Sequence, residues 1–156
     1  MTTDISNTVA RFFAAVDRCD WAAVRELMTN PFHVDYSSYG GGPASDVTPR
    51  GLTSAWADLL PFFDQVHHQI GNLIIEQQGE TAKVQCHGMA THFIANYPGG
   101  DLQLVVGTYD LTLARMNGFW RLSSMRFNFK FASGNADLAA EAGRRAANHT
   151  REKRNA

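Results

Sequence analysis

Cysteine, charge of one sign and long apolar runs are all scarce in this chain, and each scarcity excludes a class of protein. Two cysteines in 156 residues, Cys19 and Cys86, cannot build a disulfide framework and lack the spacing of zinc ligands, so both are read as free thiols of a cytoplasmic protein. No apolar run reaches the roughly 20 residues of a membrane helix, and no early run resembles a secretory leader. With 14 lysines and arginines against 15 acids the net charge is -1. No basic stripe crosses the body of the chain, so neither nucleic acid nor an anionic membrane is an expected partner. Arg144, Arg145, Arg151, Lys153 and Arg154 read as a solvated tail. A metal set is also missing. His67, His68, His87 and His92 invite the idea, but adjacent strand residues face opposite ways and no carboxylate or cysteine pattern completes a site, so no metal or other cofactor is expected. Gly40-Gly41-Gly42 lacks the strand-loop-helix context of a phosphate loop and suits a flexible lid.

What is present is enough apolar material, 44% of residues, for one domain with a core that can hold a pocket. Helical spacing comes first. A first helix runs to Asp17, and Asp20 caps a second that carries Trp21, Val24, Leu27 and Met28 and ends at Asn30-Pro31. Phe32 to Tyr36 reads as a short strand, Ser37 to Pro49 as a loop, and a third helix from about Pro49 carries Leu52, Trp56, Leu59 and Leu60 towards Pro61. From His67 the period becomes that of strands: His67–Gln77, Thr81–Tyr97, Leu102–Arg115 and Phe119–Phe131, joined by turns at Gln78-Gly79-Glu80, Pro98 to Asp101 and Met116-Asn117-Gly118. The Ala-rich stretch Asn135 to Asn148 predicts a short terminal helix followed by a frayed tail. Helices segregated before a curved antiparallel sheet make an α+β domain, with the helices on one sheet face around a pocket.

Asp17 is the residue that chemistry singles out. It shares a helical stripe with Val9 and Phe13, so a carboxylate ends an apolar face, near a helix C-terminus that disfavours negative charge. It is either an exposed edge acid or one with a partner. His68 and His92 could each meet it, and such a pairing would orient an imidazole and raise its basicity. His67 and His87 have the opposite strand parity and read as structural or surface groups. By the same parity, Tyr36 is favoured for the pocket and Asp35 for a surface or hydrogen-bonding role.

The segments Asp17-Arg18-Cys19-Asp20-Trp21, His33 to Tyr39, His68-Gln69-Ile70-Gly71, His92 and Asn117-Gly118-Phe119-Trp120 stand in an order and spacing that resemble the SnoaL-like branch of the NTF2-like superfamily, closest to the scytalone dehydratase-like group. The resemblance implies a cone with one apolar pocket, with residues 1–134 as a single domain and 135–156 as a C-terminal helix and tail. It also implies roles. Asp17 would orient His92, His68 would be a second catalytic histidine, and Tyr36 would hold a catalytic water and polarise a carbonyl. Val16 stands where that group has a second water-holding tyrosine, and Tyr109 where it has an asparagine, so scytalone itself is not the expected substrate.

These residues imply a cofactor-independent lyase or isomerase that moves protons on a small hydroxylated cyclic ketone or a polyketide- or steroid-like molecule. Asp17, His92, His68 and Tyr36 would be catalytic; Tyr109, Trp56, Phe127, Phe129 and Val16 would bind substrate. The alternative is a non-catalytic module that uses the same cone to hold an apolar metabolite or to pair with another protein. A homodimer is expected through the outer sheet face, because both parities of Leu102 to Leu113 carry apolar residues and three short helices cover only one face.

Overall fold

A computed structural model describes residues 2–155. Helix α1 (Thr2–Asp17) buries Ile5, Val9, Phe12, Phe13 and Val16 along one stripe, and Cys19, at φ 54°, supplies the left-handed residue that turns the chain out of it. Asp20 then caps α2 (Trp21–Glu26) by accepting the Ala23 N–H at 3.1 Å. Thr48 caps α3 (Pro49–Ala57) in the same way through Gly51, with Pro49 in its first turn.

Six strands form one curved, open sheet in the order β2-β1-β6-β5-β4-β3. They are β1 (Met28–Asp35), β2 (Ser45–Val47), β3 (Gln65–Gln78), β4 (Thr81–Phe93), β5 (Leu102–Met116) and β6 (Phe119–Gly134). All pairings are antiparallel except β1 with β6. The tight β5–β6 connection carries Asn117 at φ 53° and Gly118 at φ 84°, the positive pair that a two-residue hairpin turn of this twist requires. Helices α1 to α3 pack on one face, where Val84, Cys86, Leu111, Leu122 and Met125 meet them in the core. This is the expected α+β cone. Among the described residues, no helix is long and apolar enough to cross a membrane.

Four local expectations are corrected. Asn30-Pro31 does not end α2, which stops at Glu26; Pro31 lies inside β1, where the ladder to β6 is interrupted between Met28 and His33, so its missing N–H costs no sheet bond. The strand expected to reach Tyr97 stops at Phe93, because Asn96 takes φ 56° and the chain turns. The terminal helix is longer than expected: α4 (Asp137–Asn155) anchors on buried Leu138 and Ala142, and Arg145 bridges it to Asp64 at 2.7 Å. The loop expected over 37–49 also contains a 3-10 turn (Ser37–Tyr39) and the edge strand β2.

Candidate active site

Strand β3 lies at the sheet edge, so some of its backbone N–H groups have no strand neighbour. The last residue of α1 meets one of them. Both Asp17 carboxylate oxygens accept the His68 backbone N–H, at 3.1 and 3.0 Å, and Oδ1 lies 2.6 Å from His68 Nδ1. The two side chains are only 16% and 13% exposed. A carboxylate held this way keeps the proton on Nδ1 and leaves Nε2 as the basic nitrogen.

This corrects the expected pairing of Asp17 with His92. His92 does share the inner face of β4 with Ala90, but β4 lies one strand further from the edge, and the carboxylate is already engaged by β3. His92 instead packs on Phe63, ring centroids 4.7 Å apart, with its buried Nδ1 unpartnered among the described residues. Burial pushes its pKa down to about 4, helped by the nearby His68 and opposed by Asp17. His67, exposed on the other parity, still brings Nδ1 to 3.6 Å from Asp17 Oδ2, because an edge carboxylate is reachable from both sides of the strand. His87 meets Asn72 at the surface.

His68 lines a cavity of about 200 Å³ between α1, α3 and the sheet. Phe13, Val16, Trp56 and Met125 contribute apolar walls, and Tyr36 and Tyr109 join His68 as its polar lining. Neither phenol hydroxyl has a hydrogen-bond partner among the described residues. Burial raises the pKa of both, and Tyr109 is pushed further by Tyr36, Cys86 and Asp17, so both remain protonated donors at neutral pH. Phe127 stands behind the tyrosines, 5.0 Å from the Tyr109 ring and 6.4 Å from that of Tyr36. Phe129 stacks on Tyr39 at 5.0 Å on the rim and is 37% exposed. Thus Tyr109, Trp56 and Val16 reach the cavity, whereas Phe127, Phe129 and His92 do not line it.

Asp35 is buried and accepts from Ser37 N, Ser37 Oγ and Arg126 Nε, a structural knot at the end of β1 that leaves Tyr36 free to turn inward. Met125, Leu59 and Leu60 also line the cavity and were not singled out from sequence. Their signal was faint: Met125 shares β6 parity with Phe127, and the two leucines follow the α3 stripe. A larger depression of about 390 Å³ includes Lys83, Asp110 and Arg126. Two of these charges are already engaged, Asp110 by Gln85 and Asn128 and Arg126 by Asp35. It also holds His33 and Glu76 beside Ile74 and Val84, but His33 is engaged by Asp46 at 2.8 Å at the exposed rim. The smaller cavity alone contains a part-buried imidazole oriented by a carboxylate and is the stronger candidate.

Comparisons with known proteins agree with this architecture. A crystal structure of the Kfla4162 protein from Kribbella flavida superposes with a TM-score of 0.82 at 26% identity, over 89% of this chain and 96% of that one. A putative scytalone dehydratase from Novosphingobium aromaticivorans gives 0.73 at 15% identity, over 86% and 87%. A type 2 hexachlorocyclohexane dehydrochlorinase, LinA, gives 0.71 at 14% identity, over 86% and 88%. No curated protein sequence matches the chain significantly. The model of the SnoaL-like domain matches residues 2–126, from α1 through the first half of β6, so the chain whose helices, sheet and cavity are described above belongs to the SnoaL-like family.

Proposed function

We propose that this protein is a cofactor-independent lyase or isomerase that removes a proton beside the carbonyl of a small, uncharged cyclic ketone. The observation that carries the reading is the 2.6 Å contact between Asp17 and His68 in the wall of an apolar cavity that also holds two protonated tyrosines. His68 Nε2 takes the proton from carbon, and Asp17 stabilises the imidazolium that forms. The electron pair left on carbon moves onto the carbonyl oxygen, which accepts hydrogen bonds from Tyr36 and Tyr109 as its charge grows. When the enolate collapses, a β-hydroxyl leaves as water with the proton from His68, or the same proton returns to another carbon and the product is an isomer. His92, whose pKa is depressed, stays neutral behind the dyad.

Cavity size and lining narrow the substrate. Benzene occupies an engineered apolar cavity of roughly 150 Å³, so about 200 Å³ suits one substituted ring or two fused rings better than a four-ring steroid. The lining has no lysine or arginine, which favours a neutral carbonyl compound over a carboxylate or phosphate. The test is deuterium incorporation beside the carbonyl of hydroxylated cyclic ketones in D₂O, followed by proton NMR. Exchange catalysed by wild type and lost on His68→Ala is expected; a ketone that binds tightly but exchanges no faster than in buffer overturns the enzyme reading in favour of a binding module.

We further propose that two copies pair through the outer sheet face. A bulge between Val106 and Gly107 turns Phe131 outward beside Val106, and Phe131 and Leu102 are 53% and 48% exposed. A second copy would cover this apolar patch, in line with the two-fold symmetry most oligomers adopt. Sedimentation at micromolar concentration is expected to give twice the chain mass, and a monomer there refutes the pairing.

A further inference from the structure

The ring that carries one of the two cavity hydroxyls rests on bare backbone. On the inner face of the sheet, Cys86 pairs with Tyr109 and Gly88 with Gly107. The Tyr109 ring does not stand upright on β5 but leans over Gly88: a Cβ there would lie 2.3 Å from Tyr109 Cε2 and 2.7 Å from Cδ2. Its neighbour repeats the pattern. Phe127 leans over Gly107, where a Cβ would lie 2.6 Å from Cε2 and Cζ of the ring. The two rings touch each other at 5.0 Å, and Phe13 closes the third side of Tyr109 at 4.9 Å.

We propose that Gly88 is a specificity-determining residue, which sets the depth of the cavity and the position of the Tyr109 hydroxyl by giving the Tyr109 ring room to lie flat. This deepens the proposed function and rests on it for the ligand class. Ordinary carbon–carbon contact begins near ~3.5 Å, so a methyl at Gly88, which would meet the ring at 2.3 Å, displaces it by about 1.2 Å or more. Phe127 and Phe13 block two directions. The cavity, which Tyr109 already lines, is the open one. The displaced ring shortens the pocket and carries its hydroxyl along. Misplacement of about 1 Å is enough to cost on the order of 10²-fold in rate.

The experiment compares wild type, Gly88→Ala, Tyr109→Leu and Gly88→Ala/Tyr109→Leu. Dissociation constants are measured by NMR for cyclohexanone, with one ring, and 2-tetralone, with two, and the crystal structure of Gly88→Ala is determined. For Gly88→Ala the expected result is a loss of about tenfold or more for 2-tetralone, with cyclohexanone changed less than about threefold, the range over which pocket size discriminates. The double variant regains 2-tetralone, because leucine needs no seat on Gly88. Tyr109→Leu alone, which introduces no clash, binds 2-tetralone at least as well as wild type relative to cyclohexanone. Equal loss of both ligands in Gly88→Ala, or no recovery in the double variant, overturns the proposal. Should wild type bind neither ketone, the proposed ligand class fails. The crystal structure then decides the inference by itself: a Tyr109 ring moved into the cavity supports it, and a ring unmoved or turned elsewhere refutes it.

Discussion

Replacing His92 by phenylalanine makes the stability of this fold less dependent on acid, by an amount that follows from its burial. In the folded protein His92 resists protonation down to about pH 4, whereas in the unfolded chain an ordinary histidine titrates near ~6.5. Between those values the unfolded chain binds the proton and the folded one does not, so stability falls as pH falls through the window, and above it the proton linkage costs nothing. At pH 5 the unfolded side chain is almost wholly protonated and the folded one about a tenth, a difference of roughly 2 kcal/mol. Phenylalanine preserves the packing against Phe63 and has no proton to gain. It also removes the unpartnered Nδ1, a gain of about 1 kcal/mol or more at any pH. The assay is urea unfolding of wild type and His92→Phe at pH 7.5 and pH 5. The advantage of the variant is expected to grow by roughly 2 kcal/mol between the two conditions, or about 4–8 °C in melting temperature for a chain of this size. An advantage that is the same at both pH values refutes the reasoning.

Asp17→Asn and His68→Ala should each lower turnover of an accepted ketone by about 10²–10⁴-fold, and the double variant should lose little more, because the two act as one unit; additive losses in steady-state kinetics would count against a dyad. Tyr36→Phe removes one of two oxygen donors and should cost roughly 2–4 kcal/mol of transition-state stabilisation at most, read as kcat/KM. Gly41→Ala places a Cβ at 2.4 Å from Tyr36 Cβ and should therefore shift Tyr36 and weaken ketone binding, whereas Gly40→Ala, with nothing within 4 Å but a φ of 80°, should lower melting temperature and leave binding near wild type. Phe12→Ala empties a fully buried site and should cost about 3–5 kcal/mol of unfolding free energy in urea.

The architecture was legible because it rests on local signals. The stripe of Val9, Phe13 and Asp17, the cap Asp20, the start of α3 at Pro49 and the Asn117-Gly118 turn each act over a few residues and read the same in sequence and in space. Strand parity was equally reliable where the ladder is regular: Ala90 and His92 share the inner face, as their spacing requires. It failed where one residue is inserted. The bulge beside Gly107 sends Phe131 to the opposite face from Phe129, although the two are spaced to lie together. The length of α4 was misread for a different reason: its last turns are polar and carry no apolar stripe, and the contact that supports them, His149 on Phe62 with ring centroids 5.7 Å apart, is made across the fold.

The sequence by itself determined that an acid would close an apolar helix stripe and on which strand face His68, His92 and Tyr36 would stand, since these follow from periods of 3.6 and 2 residues. That the histidines and the tyrosines Tyr36 and Tyr109 gather at one site came with the resemblance to the SnoaL-like family. Tertiary structure alone decided which histidine the acid takes. Asp17 selects His68 because β3 is an edge strand whose free N–H draws the carboxylate, and strand order in a sheet is a long-range property that no local pattern encodes. The seat of Tyr109 over Gly88 is of the same kind. Two residues 21 positions apart meet through the pairing of β4 with β5, and the reason a glycine stands there is visible only once the ring lies upon it.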